Sequence, residues 1–406
     1  MHIALICQRF FYGGGQERHV YHLARRFVVL GQHVTIVTSE IGASEEFRSR
    51  IDLKGIIVRT LPASEMSFPP NQVLFPTLIQ ELIEGDFDVI HTHGALNQNS
   101  TSAALAAHIV KVPLVFTPHF HPWNVFEETN IRRARRMAER LVLAPVMRSA
   151  QAVIAVSGFE RTMLAKRYQI PKTKIHVIPN GVDISFLQKT DPRRNVRKKY
   201  GVPENKRYVL FFGSVTDLRK GIDRAIKIFV SVAQRVPDAH LVILGYRTDN
   251  NQTVIDWIHE AGLADRVTAA GYVTDTEKVA FLRMASVLLA PTVYEAFGIV
   301  LAESMFMKVP VIATKQGGIP YVVKHGKDGL LVANHHSLQR FAAYTIRLLE
   351  DERLRLRMGE AGHKRVQHLF HWTRIARRIL TLYRNITKNR QATDLVPALR
   401  TKGGNR

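Results

Sequence analysis

Residues Pro291–Pro310 read PTVYEAFGIVLAESMFMKVP, and the fold turns on how they are read. The stretch is entered through Ser286–Pro291, SVLLAP, a short run of small and apolar residues that suits a strand buried on both faces. Tyr294-Glu295-Ala296-Phe297-Gly298 then reads as a loop, and Ile299–Met307 as an apolar segment of good helix formers. Val309–Thr314, VPVIAT, reads as a second buried strand. Strand, loop, helix and strand in that order put the loop and the helix start at the carboxyl end of a parallel sheet, where open α/β sheets bind ligands. Free backbone N–H groups and the helix dipole make such a helix start an anion site. Glu295 in the loop and Glu303 about one turn inside the helix flank it with carboxylates.

Carboxylates beside an anion site make sense for a nucleotide sugar. Its diphosphate needs N–H donors and cations, while its ribose and sugar hydroxyls need acceptors. Taken alone, the spacing of Glu295 and Glu303 fits equally a helix with one exposed and one capping glutamate. Phe297-Gly298 follows the first of them, however, and Gly317-Gly318-Ile319-Pro320 follows the next strand. Together these residues resemble the Glu-x7-Glu signature of retaining glycosyltransferases with the GT-B fold, in family four of that classification.

The 406 residues are too many for one ordinary core and suit two domains of about 180–200 residues each. A hydrophobic content of 46% beside 22% charged residues is that of a globular chain. Apolar runs break well before a membrane span of ~20 residues, and Gln8 and Arg9 end the first one too early for a signal peptide. The single cysteine, Cys7, excludes an internal disulfide and fits a reducing compartment. A formal net charge of +23 asks for a polyanionic partner. Without a nucleic-acid-binding signature, an anionic membrane face ranks first, and the expected location is cytoplasmic, on the inner face of the plasma membrane.

Toward the N-terminus, His2–Phe10 reads as a strand, and Gly13, Gly14 and Gly15 mark a strand-to-helix turn. Without side chains there, backbone can approach a ligand, although a plain turn accounts for a glycine triplet as well. Phe87–Gly94 (FDVIHTHG) ends a strand with His91 and His93, and Pro113–His121 ends another with His119 and His121. His-x-His on a strand puts both rings on one face, an arrangement that suits either a metal ion or hydrogen-bonded strand ends. No carboxylate or cysteine at matching spacing supports metal. Residues 131–148 carry Arg132, Arg133, Arg135, Arg136 and Arg140 against Glu139 alone, an amphipathic pattern for an anionic leaflet or for an ordinary surface helix. Tyr208–Ser214 opens a second βα pattern. In Asp217-Leu218-Arg219-Lys220-Gly221, two cations precede a helix start, as a diphosphate requires or as a solvated turn would show.

The resemblance extends over about residues 1–386, in motif order as well as content, through Gly14-Gly15-Gln16-Glu17-Arg18 and the VS…IPNGVD passage (Val156 to Asp183). It implies an α/β fold of two Rossmann-like domains facing a cleft. The expected boundaries are 1–183 for the acceptor-side domain and 184–368 for the nucleotide-sugar domain. A helix over 369–387 is expected to cross back to the first domain, and 388–406 to be a basic disordered tail. By the same resemblance, Arg219, Lys220, Gly298 and Ile299 hold the diphosphate. Glu295, Phe297, Gly298 and Glu303 hold sugar and ribose, and Gly14, Gly15 and His93 lie on a loop rim. His119, Glu295 and Lys220 carry the catalytic burden. Many relatives carry Gly-Arg after the first strand of the second domain. Here the pair is Gly213-Ser214, which leaves Arg219 as the replacement. Gly271-Tyr272-Val273 stands where relatives bracket the base.

The activity so implied is transfer of a hexosyl group from a nucleotide-diphosphate sugar to a lipid or lipid-linked acceptor, with retention and with no cofactor or divalent metal. Two alternatives share some of the features. A nucleotide-sugar epimerase or a phosphorylase would use the same scaffold; a basic nucleic-acid-binding protein would use the charge alone.

Overall fold

Val, Ile, Leu and Phe fill the strands of both halves of the chain, so each sheet is apolar on both faces and needs helices over both. The computed structural model describes residues 1–66, 72–94, 98–120, 129–189, 193–213, 218–245 and 251–400. The chain divides into two units, Met1–Gly181 with Trp372–Arg406, and Val182–His371.

The first unit contains β1 (His2–Ile6), β2 (His33–Thr38), β3 (Ile56–Thr60), β4 (Ser64–Met66), β5 (Gln72–Leu74), β6 (Val89–His93), β7 (Leu114–Thr117), β8 (Ala152–Ala155) and β9 (Ile175–Val177). Seven of them form one parallel sheet in the order β3-β2-β1-β6-β7-β8-β9, while β4 and β5 pair antiparallel. The order reverses direction between β1 and β6. One face of the sheet is covered by a cluster that includes Phe75, Phe116, Leu143, Met147 and Leu164. The other face takes Leu23 and Phe27 of the helix Gly15–Val29, together with Trp372, Ile375, Ile379 and Tyr383 of the last helix. Each fully buried side chain of this size is worth ~1.5–3 kcal/mol of transfer free energy, so the last helix is part of this core. It runs Trp372–Arg400 and thus continues through much of the stretch that the sequence analysis leaves as a disordered tail. No glycine interrupts 388–400, and the one proline, Pro397, comes late.

A buried polar pair pins that helix. The Tyr383 hydroxyl lies 2.5 Å from His91 Nδ1, and Thr117 Oγ1 lies 2.7 Å from His91 Nε2. Burial holds His91 well below the usual imidazole range, so the ring is neutral and each nitrogen has one role. Tyr383→Phe leaves one of these nitrogens without its partner. The expected loss is ~1–3 kcal/mol, read as a lower denaturant midpoint at unchanged slope for the transition of this unit.

The second unit is built from β10 (Arg207–Phe212), β11 (Ala239–Leu244), β12 (Val267–Gly271), β13 (Ala285–Ala290), β14 (Val311–Thr314) and β15 (Gly329–Val332). All are parallel, in the order β12-β11-β10-β13-β14-β15, with the reversal between β10 and β13. Val182 N–H donates to the Phe370 carbonyl (2.7 Å), so this unit starts and finishes at one place. The polar, basic run that opens this unit is helical at Ile184–Lys189 and Arg193–Tyr200. Buried Val196 and Val202 anchor it, an apolar signal too sparse among the lysines and arginines to stand out.

Candidate functional site

In an open parallel sheet, ligands bind outside the carboxyl ends of the strands where the order reverses. In the second unit that place lies between the loops that follow β10 and β13. Leu218–Lys220 forms a short 3₁₀ turn, and Gly221 at φ +83° starts the helix Ile222–Arg235. A Cβ on Gly221 would lie 2.6 Å from the Pro291 carbonyl oxygen, so only glycine lets the two loops meet. The loops are also bonded together. The Arg219 carbonyl accepts from Val293 N–H (2.7 Å), Thr292 Oγ1 (3.0 Å) and the Arg224 guanidinium (3.3 Å). Arg224, largely buried, donates as well to Pro291 O (2.9 Å) and Leu218 O (3.0 Å). With these carbonyls and the Asp223 carboxylate at 3.6 Å around its guanidinium, it serves as a brace for the turn that carries Arg219 and Lys220.

That brace brings together the two side chains singled out from sequence. Lys220 Nζ donates to Glu295 Oε1, with 34% and 12% of the respective side chains exposed. The Glu295 loop is held from below by the next glycine pair. Gly318 N–H donates to Glu295 O (2.7 Å), and a Cβ on Gly318 would lie 2.6 Å from the Ala296 carbonyl carbon. Phe297 turns its ring into the core against Phe370, at 5.2 Å between centroids, so only its backbone is available to a ligand. Gly298, at φ +87°, ends the loop and starts the helix Ile299–Phe306, whose first amides have no partner within the helix. Glu303, one turn along, accepts from Lys278 at 2.8 and 3.0 Å. Lys278 projects from the helix Asp275–Met284, fixed by a capping box between Thr274 and Glu277. A carboxylate has about four acceptor positions, so Glu295 and Glu303 keep lone pairs for hydroxyls while each holds a lysine. Tyr272, after Gly271 at the end of β12, is exposed.

The first unit has its own reversal, between β1 and β6, and the other predicted residues gather there. Gly13, Gly14 and Gly15 follow β1. The Arg18 guanidinium donates to Gly13 O (2.8 Å), and a Cβ on Gly15 would meet nothing within 4 Å. His93 ends β6, and its Nδ1 lies 3.3 Å from Nε2 of His119, which follows β7. His119 holds φ +47°, an uncommon backbone state for a side-chain-bearing residue. The next residue is tied down by Glu160, whose carboxylate accepts from Phe120 N–H (2.8 Å) and Val156 N–H (2.6 Å). Burial pushes the Glu160 carboxyl up to about 7, against those two bonds. His19, on the helix Gly15–Val29, completes a group of three: one ligand nitrogen from each of His19, His93 and His119 lies within 4.8 Å of the others. Burial lowers His19 to about 4 and holds His93 well below its ordinary value.

The remaining expectations fall partly outside the described residues, as do Ser214, Asp217 and His121. Thr129–Ser149 is helical, but the side chains of Arg132, Arg133, Arg135 and Arg136 are not among those described. Further along it, Met137 and Leu141 are 66% and 70% exposed, one turn apart, and Arg140 is exposed between them. Among the described residues, no helix is long and apolar enough to cross a membrane. Sequence reasoning missed Lys278, Arg224 and His19, and read Gly317-Gly318 only as a turn. For His19 a signal existed: it precedes Val20 on the buried side of its helix, one turn after Gly15.

Comparison with known proteins gives a consistent result. The family model described as Glycosyltransferase Family 4 matches residues 13–186, and the one described as Glycosyl transferases group 1 matches residues 192–365. A D-inositol 3-phosphate glycosyltransferase of Pseudarthrobacter chlorophenolicus is 29% identical, over 95% of this chain and 93% of its own. A phosphatidylinositol N-acetylglucosaminyltransferase GPI3 subunit of Saccharomyces cerevisiae is 24% identical, over 97% of this chain and 84% of its own. Among solved structures, Anabaena HepE in complex with UDP and glucose superposes with a TM-score of 0.75 at 22% identity, covering 95% of this chain and all of its own.

Proposed function

The chain belongs to glycosyltransferase family 4 (glycosyl transferases group 1), retaining hexosyltransferases of the GT-B fold that use nucleotide-sugar donors, and on that premise we propose that it glycosylates a lipid or lipid-linked acceptor at an anionic membrane face. The observation that carries the assignment of the donor site is the pairing of Lys220 with Glu295 where the second sheet reverses its order. In this reading Lys220 and Arg219 meet the diphosphate, helped by the Gly298 and Ile299 amides. Glu303 takes the ribose hydroxyls. Glu295 and the Phe297–Gly298 backbone take the sugar. His119 is assigned to a sugar hydroxyl, and His93 with the Gly14–Gly15 turn to the surrounding rim.

The chemistry asks for charge at the leaving group. As the bond from the anomeric carbon to the phosphate oxygen breaks, negative charge gathers on the diphosphate and positive charge on the sugar. Fixed donors at the phosphate therefore lower the barrier more than they tighten ground-state binding. The acceptor oxygen bonds to the anomeric carbon from the same face as the phosphate leaves, and the departing phosphate is one candidate to take its proton. No divalent metal is needed for this step, because Lys220, Arg219 and the helix amides supply the positive field. A thermal-shift series against uridine, guanosine and adenosine diphosphate sugars tests the donor, since ligands of the folded state raise apparent stability. Uridine is the first base to try, being the one bound to HepE. A series in which no nucleotide sugar shifts the transition would reject the site. An epimerase would release free sugar with no acceptor, and a phosphorylase would require inorganic phosphate.

For the membrane, the supporting observation is the exposed Met137–Leu141 pair beside Arg140 on a helix rich in arginine. Apolar side chains enter the headgroup boundary while cations stay on the lipid phosphates. The lipid-directed names of relatives such as the phosphatidylinositol transferase subunit point the same way. Each arginine near an anionic surface adds ~1 kcal/mol. Replacing Arg132, Arg133, Arg135 and Arg136 by Gln together should therefore weaken co-sedimentation with anionic vesicles by ~10²-fold or more. Equal binding by the variant would make this an ordinary surface helix.

A further inference from the structure

We propose that His19, His93 and His119 form a binding site for a borderline divalent metal ion such as Zn²⁺. The three residues come from three elements that meet at the reversal point of the first sheet: the helix Gly15–Val29, the end of β6, and the loop after β7.

The distances suit a shared ion. Zinc–nitrogen bonds of ~2.0–2.1 Å in a tetrahedral shell put neighbouring ligand nitrogens about 3.3 Å apart. His93 Nδ1 and His119 Nε2 lie 3.3 Å apart. The third ligand nitrogen lies within 4.8 Å of both, a gap that imidazole rotation about its two side-chain torsions can close. His19 is 4% exposed, and neither of its ring nitrogens meets a hydrogen-bond partner among the described residues. The Asn180 side chain stands beside the ring, short of strict hydrogen-bond geometry, and favours its charged form against burial. Its ring stands edge-on to His119 (4.9 Å) and to Trp372 (5.1 Å), so packing fixes where it can turn.

The donor set also selects the ion. Three imidazoles without a carboxylate or thiolate suit Zn²⁺, Co²⁺, Ni²⁺ and Cu²⁺, and are poor ligands for Mg²⁺ or Ca²⁺. Three protein ligands leave a fourth position for water or a small anion.

The test uses full-length, untagged protein freed of metal with a chelator. Titration with Co²⁺ should give tetrahedral-type ligand-field bands that saturate at one equivalent and vanish on adding Zn²⁺, with no response to Mg²⁺. Changing groups that merely hydrogen-bond to metal ligands costs 10–100-fold, so removing a ligand in His19→Asn should weaken Co²⁺ binding by at least ~100-fold. An unchanged denaturant midpoint and slope for the transition of the first unit would show that this variant is folded where the residue was changed. X-ray absorption of zinc-loaded wild type should independently show imidazole nitrogens at ~2.0–2.1 Å. Absent or octahedral-type bands, or His19→Asn binding Co²⁺ as tightly as wild type, would overturn the site. Cobalt bands in a protein that turns over no nucleotide sugar before metal is added would leave this site standing and count against the donor-site assignment instead.

Discussion

Lys220→Ala lowers turnover of a nucleotide sugar by ~10²-fold or more, and more through kcat than through KM. Two effects act in the same direction. The cation that meets charge developing on the diphosphate is removed, and groups of this kind are typically worth ~10²–10³ in rate. In addition Glu295, only 12% exposed, loses its partner and presents an uncompensated carboxylate to the phosphates. The second effect gives the prediction its own control. Glu295→Gln placed on the Lys220→Ala background should recover part of the lost donor affinity, which independent roles for the two residues would not produce. The fold should survive, because an ion pair with a lysine one-third exposed contributes little to stability, ~1 kcal/mol or less. Unaltered kinetics in Lys220→Ala would remove the diphosphate assignment.

Gly318→Ala has the second largest effect, at a position with no chemistry of its own. Gly318 sits at φ −80°, which any residue can adopt, so the obstacle is space and not backbone conformation. An added Cβ would run into the backbone of Ala296, 2.6 Å from its carbonyl carbon, and would press on the bond from Gly318 N–H to Glu295 O. Backbone on one side and backbone on the other leave no flexible side chain to yield. The Glu295–Gly298 loop must shift, and a displacement of about 1 Å in positioning groups costs ~10²-fold in rate. Overpacking of this sort also costs ~1–3 kcal/mol of stability. Gly326→Ala is the comparison: it meets no neighbour within 4 Å but sits at φ +76°. It should lose about 1–2 kcal/mol through backbone strain and leave turnover alone. Equal turnover in both variants would show that the Gly317–Gly318 turn does not set the loop.

Why the sequence disclosed one part of this site and not another follows from the range of the interactions. Glu295, Gly298 and Glu303 lie on one continuous strand–loop–helix, so period, glycine placement and motif order are enough to find them. Arg219 and Lys220 stand next to a helix start and are found in the same way. Lys278 shares no local pattern with Glu303; only the packing of the helix Asp275–Met284 brings them to 2.8 Å. Arg224 looks from sequence like any cation on a helix surface, yet burial turns it onto three carbonyls, Pro291, Leu218 and Arg219. The His-x-His pattern drew attention to His91 and His93 as a pair. In the fold their rings stay 4.1 Å apart between centroids, but their partners differ: His91 meets Tyr383 and Thr117, while His93 faces His119 and, through it, His19. The alternation of the strand placed both rings on one face, but what each meets is set by elements far away in the chain.

The basic segments show the same limit. Residues 193–200 form a helix held by Val196, although lysine and arginine dominate the composition there. The sheets, by contrast, were legible almost strand by strand, because strands buried on both faces write themselves as unbroken apolar runs.

The most direct measurement is a structure of the protein with a bound uridine or guanosine diphosphate, whichever stabilises it. The account predicts diphosphate oxygens within hydrogen-bond distance of Lys220 Nζ and of the Gly298 or Ile299 amide, ribose hydroxyls on Glu303, and Glu295 turned toward the vacated sugar position. A diphosphate bound elsewhere on the chain, with the Lys220–Glu295 pair undisturbed, would contradict it.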